Sequence, residues 1–361
     1  KWTRALWSAS EGAQYRYGLT GTPIQDTLVD LWAILRYIAP SEYGSKTRFV
    51  DRFAETGYTS WGIFTVYGVK ESARDEFYAG VYPRMRRMLK KIVLPFLPPV
   101  VHSTRYVEML PAQAKAYKQM VKDTLAEIDG GTLIGTNPLS RATRLLQFSS
   151  AYAELITKEL PDGRIESHVR LTNPSNKIKA LIDDIESGDY GEESLVIFAQ
   201  SRQLIELLSA EMTAKKWDHG LITGSINMDD RQKNIDAFQA RKTRFILVTI
   251  DAGGVGLTLT AGSTMVFLQR AWSSTAMKQA ESRAHRIGSE IHDQVRIVDY
   301  VSEGTLEEAQ VVRLGSKFDR IESIVRDADL LKKLLTGEPI ADSEVAPLDE
   351  SEASDDTAED I

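Results

Sequence analysis

The sequence has no cysteine at all. Disulfides and thiolate-ligated zinc or iron–sulfur centres are therefore excluded. Its five histidines are scattered and never adopt a His-x-x-x-His spacing, so no histidine metal site is indicated either. No apolar run reaches the ~18 residues that would suggest a membrane span, and no signal peptide is visible, so an intracellular (cytoplasmic or nuclear) protein is expected. The phosphate-loop pattern Gly-x-x-x-x-Gly-Lys-Ser/Thr is missing. Gly44-Ser-Lys-Thr47 resembles only its end, without the leading glycine or a preceding buried strand. No Asp-Glu-x-His strand end occurs, so neither a magnesium-holding carboxylate nor a water-activating glutamate can be named.

What is present is a chain of 361 residues, 42% hydrophobic and 26% charged, long enough for two or three domains of ordinary globular composition. The net charge of -7 is set by one segment. Residues 338–361 contain ten acidic and no basic side chains, and with those ten set aside the rest carries 44 basic against 41 acidic. This Ser/Asp/Glu/Ala-rich tail has the composition of a disordered segment. The opening Lys1-Trp-Thr-Arg-Ala-Leu6 reads straight into a helix without a cap, as expected if this chain is part of a larger protein.

From Asn176 onward, apolar strands alternate with helices: strands 194–199, 220–223, 245–249, 264–268 and 294–300, with helices 177–186, 202–215, 229–240 and 274–285 between them. That alternation predicts an α/β fold, a parallel sheet with helices on both faces, whose ligands sit beyond the carboxyl ends of the strands. The preceding segment reads as mostly helical, with a strand at 103–109, helices from Pro111 toward Ile128 and from Arg141 to Leu155, and a loop or hairpin at 161–175. A short strand at 15–18 leads into the hydroxyl-rich turn Leu19-Thr-Gly-Thr-Pro-Ile24, and Leu28, Leu31, Trp32, Leu35 and Ile38 then recur at helical spacing.

Three constellations carry chemistry. Gln279-Ala-Glu-Ser-Arg-Ala-His-Arg-Ile-Gly288 sets Arg283 and Arg286 three residues apart. On a helix this would aim both guanidiniums from one face, as suits the charge that develops on a terminal phosphate. Ala252-Gly-Gly-Val-Gly256 follows a strand and can bring backbone N–H groups close to a ligand. Thr223-Gly-Ser225, followed by Arg231, suits a phosphodiester backbone, although a plain helix N-cap explains it equally well.

The order of these motifs resembles the C-terminal part of the Swi/Snf-related ATPases of helicase superfamily 2. Leu19 to Gln25 is similar to motif III, Leu195 to Ser201 to motif IV, Asp251 to Leu259 to motif V, and Gln279 to Gly288 to motif VI, the most specific of the four. Leu89-Lys-Lys-Ile-Val-Leu-Pro-Phe-Leu-Pro-Pro99 is similar to the family's Lys-x-x-Val-Leu-Pro-x-Leu-Pro-Pro segment, and Gly304-Thr-Leu-Glu-Glu308 to the turn that follows motif VI. Asp251, Thr258 and Ser289 depart from the common Arg or Lys, Asn and Gln at their positions. The resemblance covers roughly residues 1–335.

The resemblance implies an order of domains. Residues 1–40 would end a first RecA-like lobe, 41–170 form a family-specific insertion, 171–310 a second RecA-like lobe, 311–337 a brace helix and 338–361 the acidic tail. It implies an ATPase that moves along double-stranded DNA, with ATP and Mg bound mainly by an upstream N-terminal RecA-like lobe. Arg286 would be the arginine finger with Arg283 beside it, and Gln279, Gly254 and Gly256 would line the nucleotide. Thr20, Gly21 and Thr22 would couple nucleotide state to lobe closure. Ser201, Arg202, Gly224, Ser225, Arg231, Thr249 and Gly253 would lie along the DNA. A DNA-binding or regulatory module that keeps the fold without the catalysis is the alternative.

Overall fold

The computed structural model describes residues 2–24, 27–58, 64–86, 88, 90–123, 125–128, 131–134, 138–159, 165–253 and 256–311. The expected brace helix beyond residue 311 and the acidic tail lie outside them, as does Gly254. The described chain forms two compact units that divide between Met88 and Leu89.

The first unit contains α1 (Trp2–Ala9), α2 (Leu28–Ile38), α3 (Lys46–Phe53), the antiparallel pair β1 (Ala54–Tyr58) and β2 (Phe64–Val69), and α4 (Arg74–Val81). Helix α2 starts at a capping box, in which the Thr27 amide donates to Asp30 Oδ2 at 3.0 Å. It buries Leu28, Leu31 and Leu35, the stripe its sequence spacing predicts. Phe49, Phe53 and Phe77 meet edge to face beneath it, the arrangement that ring quadrupoles favour. Residues 15–18, expected as a strand, are irregular because no described strand pairs with them.

The second unit contains α5 (Lys90–Val93), β3 (Val100–Val107), α6 (Pro111–Asp123), β4 (Leu125–Ile128), β5 (Gly131–Ile134), α7 (Pro138–Ser150), β6 (Tyr152–Glu159), β7 (Ile165–Thr172), α8 (Asn176–Glu186), β8 (Leu195–Ala199), α9 (Arg202–Ala214), β9 (His219–Ile222), α10 (Met228–Gln239), β10 (Phe245–Thr249), α11 (Ile250–Gly253), β11 (Thr264–Phe267), α12 (Ser274–Ala284) and β12 (Val295–Ser302). Six of these strands form one parallel sheet in the order β3-β12-β11-β8-β10-β9. All residues of β8, β10 and β11 are buried because both faces are covered. Leu195, Ile197, Phe245 and Leu247 face a core shared with α8 and α9, whereas Val196, Phe198, Ile246 and Val248 face one shared with α10 and α12. Continuous apolar strands are what a sheet buried on two sides requires.

The segment before α8 holds more strand than helical periodicity suggested. Strand β3 is the edge strand of the large sheet, paired with β12 from Val100↔Val295 to Val107↔Ser302. Helix α6 ends at Asp123, and β4 and β5 then pair antiparallel from Leu125↔Ile134 to Ile128↔Gly131. Helix α7 ends at Ser150, where Ser149 and Ser150 turn their hydroxyls back to Leu146 O at 3.0 and 2.8 Å. Strands β6 and β7 follow as an antiparallel hairpin. Among the described residues no helix is long and apolar enough to cross a membrane, and no group of three or more His, Asp or Glu is placed to hold a metal ion.

Candidate functional site

Strands β8, β9, β10 and β11 end in register, with Val248 opposite both Ile222 and Phe198, and Phe267 opposite Phe198. The segments that follow them therefore leave from one edge of the sheet. This edge brings together Ser201 and Arg202 after β8, Gly224 and Ser225 after β9, and Thr249 and Gly253 at and after β10.

Each of these residues also has a local role. Ser201 caps α9, its Oγ accepting from the Leu204 amide at 3.4 Å, while its own amide donates to Gln269 Oε1 at 2.9 Å. Arg202 forms a solvent-exposed i,i+4 pair with Glu206 at 3.1 Å, the kind of contact that contributes only ~0.3–0.5 kcal/mol. Thr223 and Ser225 share a hydroxyl–hydroxyl hydrogen bond of 2.9 Å. They do not cap α10. Asn227 does so through Oδ1 and the Asp230 amide at 2.9 Å, which removes the N-cap explanation for Thr223-Gly-Ser225. Asp229 and Asp230 occupy the first turn of α10 and already answer the positive end of its dipole. The anion-binding potential here thus lies in the loop 223–225 and in Arg231, not in the helix terminus. A Cβ built at Gly224 would meet nothing within 4 Å, so packing within the described residues does not demand a glycine there.

The glycine-rich segment after β10 opens with the single-turn helix α11, and its described residues are braced at both ends. On one side, Arg231 Nη2 donates to Ala252 O and Gln200 Nε2 to Asp251 Oδ2 at 3.0 Å. Arg231 Nε is buried with no acceptor among the described residues. On the other side, Arg286 Nη1 donates to Leu257 O at 3.0 Å and the Leu259 amide donates to Arg283 O at 2.9 Å. Gly256, at φ +65°, occupies the left-handed region between the two sides, which favours glycine.

The arginine pair is assembled differently from the way its spacing suggests. Helix α12 stops at Ala284, and His285 is its C-cap at φ -87°, ψ 83°. Arg283 is thus in the last helical turn and Arg286 is beyond the helix, so they do not share a helical face. The turn after the cap brings them near each other nonetheless. The Arg283 guanidinium is pushed below its usual range, first by burial and then by the neighbouring positive charge of Arg286. Gln279 sits one turn before Arg283 on α12, half-buried.

Sequence reasoning missed a third cation. Lys90 Nζ donates to His285 O at 2.8 Å, and its pKa is lowered by burial and then by Arg286, against an opposing effect of Glu281. Its signal was legible: Lys90 is the first lysine of the Leu-Pro-rich segment 89–99. Its neighbours were not, since 195 residues separate it from His285. The cluster of Lys90, Arg283 and Arg286 suits a multiply charged anion such as a nucleotide's phosphate chain. Thr20, Gly21 and Thr22 lie in the first unit, where the Thr22 amide donates to Thr20 Oγ1 at 3.1 Å in an exposed turn.

Residues 9–153 match the SNF2-related domain, and residues 176–288 match the helicase conserved C-terminal domain. An uncharacterised ATP-dependent helicase of Mycoplasma genitalium is 25% identical over 319 residues, 88% of this chain and 28% of its own length. The ISWI chromatin-remodelling complex ATPase ISW2 of Saccharomyces cerevisiae is 25% identical over 311 residues, 85% of this chain and 27% of its own. A crystal structure of the C-terminal part of the Fun30 ATPase domain superposes with a TM-score of 0.46 at 17% identity, covering 63% of this chain and 98% of that one. The chain therefore spans little more than a quarter of the length of the first two relatives.

Proposed function

We propose, on the footing that this chain belongs to the SNF2-related family of superfamily-2 ATPases, that it works as the second half of an ATP-driven motor on double-stranded DNA. An upstream lobe would bind ATP and Mg and hold the general base. This chain would supply the arginines and the second lobe's grip on DNA. ATP would contribute the phosphoryl group whose transfer to water drives the cycle.

The residues present fit the anionic end of a nucleotide. Arg286 and Arg283 would meet the terminal phosphates, where developing charge is stabilised by guanidinium groups. Gln279, Gly254 and Gly256 would line the nucleotide side. On the other side of the same turn, Ser201, Arg202, Gly224, Ser225, Arg231, Thr249 and Gly253 would follow DNA phosphates without reading bases, making binding salt-sensitive and largely blind to sequence. Thr20, Gly21 and Thr22 would couple nucleotide state to closure. The insertion is assigned to 41–170, apart from β3, which pairs into the large sheet, and the second lobe to 171–310, the outcome being remodelling of DNA or removal of protein bound to it.

The observation that carries this reading is the double bracing of one short turn. Arg231 and Gln200 hold residues 251–252, and Arg286 and Arg283 hold residues 257–259. A displacement of the arginines on phosphate engagement would be transmitted to the DNA side through the short stretch of main chain between Ala252 and Leu257. The test is Arg286→Ala in the full-length protein. DNA-stimulated ATP turnover is expected to fall on the order of a thousandfold, as for arginine fingers elsewhere, with DNA affinity nearly unchanged. Near-normal turnover would refute the assignment and favour a DNA-binding module that keeps the fold without the catalysis.

A further inference from the structure

We infer that Lys90, acting through His285, is a positioning residue for Arg286, an inference that rests on the role proposed above for that arginine. Arg286 follows the C-cap of α12, so helical geometry does not fix its direction. What fixes it is the guanidinium's own bond from Nη1 to Leu257 O at 3.0 Å together with the set of bonds on the turn. Within the turn, the Arg286 amide donates to Ala284 O at 3.2 Å and its carbonyl accepts from the Ser289 amide at 2.9 Å. Two further bonds come from the Leu-Pro-rich segment: Lys90 Nζ to His285 O at 2.8 Å, and His285 Nε2 to Pro98 O at 3.0 Å. A carbonyl only accepts, so His285 Nε2 carries the proton, and the ring and main chain of one residue are clamped from both ends of the segment Lys90–Pro98.

The chemistry of the clamp is specific. His285 O is among the last carbonyls of α12, which have no partner within the helix, and an ammonium at that end complements the helix dipole. A neutral donor would make the same bond. A lysine additionally places a half-buried cation within electrostatic reach of Arg286, with Glu281 as the opposing charge. Holding two cations close together is unfavourable, and the bond to His285 O is what keeps Lys90 beside the Arg286 turn. A plain structural tie does not require that second positive charge.

The test measures kcat and KM for ATP, with DNA affinity, in the full-length protein carrying Lys90→Met, Lys90→Arg, Arg286→Ala and the Lys90→Met/Arg286→Ala pair. Lys90→Met keeps the length and apolar stem and loses the donor and the charge. Its kcat is expected to fall about 10- to 100-fold, the scale of ångström-sized misplacement of a reacting group. KM for ATP and DNA affinity should stay within about twofold, and Lys90→Arg should restore most of the rate. The double variant should be no slower than Arg286→Ala alone, because Lys90 acts through that arginine. Wild-type kcat in Lys90→Met beside an inactive Arg286→Ala would overturn this inference and leave the finger assignment standing. An active Arg286→Ala would overturn the assignment itself. A further large loss in the double variant would mean that Lys90 acts on phosphate independently, also contrary to the inference. If Lys90→Met does not accumulate in folded form, Lys90→Gln, uncharged and one atom shorter, is measured in its place and should show the same fall in kcat; wild-type kcat there would overturn the inference.

Discussion

Lys177 is fully buried, at 0% exposure, and its ammonium donates to Glu307 Oε1 at 2.6 Å and to Leu268 O at 2.7 Å. Burial lowers its pKa, and Glu307 opposes that effect. Glu307 also accepts from the Ser302 amide at 2.9 Å and from Ser149 Oγ at 3.0 Å. This one pair thus joins α7, α8, the end of β11, β12 and the turn Gly304–Glu308. Lys177→Met keeps the volume but leaves a buried carboxylate facing an apolar group and Leu268 O without its donor. Breaking a buried pair from one side costs about 3–5 kcal/mol. The two hydrogen bonds that Glu307 retains place the expected loss near the lower end, at about 3 kcal/mol. Removing both charges in Lys177→Met/Glu307→Met should cost less than the sum of the single changes by about 2 kcal/mol or more. Because the chain has two compact units, a single unfolding transition is not a clean measure. Hydrogen exchange of the β8 and α8 amides under increasing urea reports the second unit alone. A loss below about 1 kcal/mol in Lys177→Met, or additive single changes, would refute the reading of this network as desolvated and mutually dependent.

Other consequences can be checked in the same way. Gly262→Ala would place a methyl group 2.7 Å from Val196 Cγ2, 3.2 Å from Phe238 Cζ and 3.3 Å from Ser194 O, and should destabilise the second unit by about 1–3 kcal/mol in the same exchange experiment. Ser225→Ala with Arg231→Ala should weaken double-stranded DNA binding and flatten its salt dependence by about one unit of slope for each phosphate no longer neutralised. An unchanged slope in a titration at several salt concentrations would remove that loop from the DNA path. His285 is held below its ordinary value of 6.5, first by burial and then by the charge of Lys90, against the opposing bond to Pro98. The unfolded chain therefore binds a proton that the folded one does not between 6.5 and the lowered value. Stability should fall as pH drops through that window and gain nothing from this group above it. Replacing His285 by Gln should reduce the slope of the second unit's unfolding free energy against pH between about 7 and 5, read by the same exchange experiment, and identical slopes would count against this account.

Much of the second unit is legible in the chain itself because its strands are buried on both faces. Runs such as Leu195-Val-Ile-Phe-Ala199 and Phe245-Ile-Leu-Val-Thr249 admit few other readings, and the helices between them announce a parallel sheet. The segment 100–172 was harder to read for the complementary reason. Strand β3 is an edge strand with mostly exposed residues, and it pairs with a strand almost two hundred positions away, so no local pattern reveals its partner. At the candidate site, residue types and order singled out Arg283, Arg286 and the glycine-rich stretch as candidates. Sequence alone determined that two arginines three apart follow a glycine-rich strand end, and with that which residues the proposed chemistry would use. Only the tertiary structure decided that α12 ends before the second arginine and that Lys90 and Pro98 hold the turn in between. The end of a helix depends on which distant groups satisfy its last carbonyls, and those groups are brought there by the fold, not by the neighbouring residues.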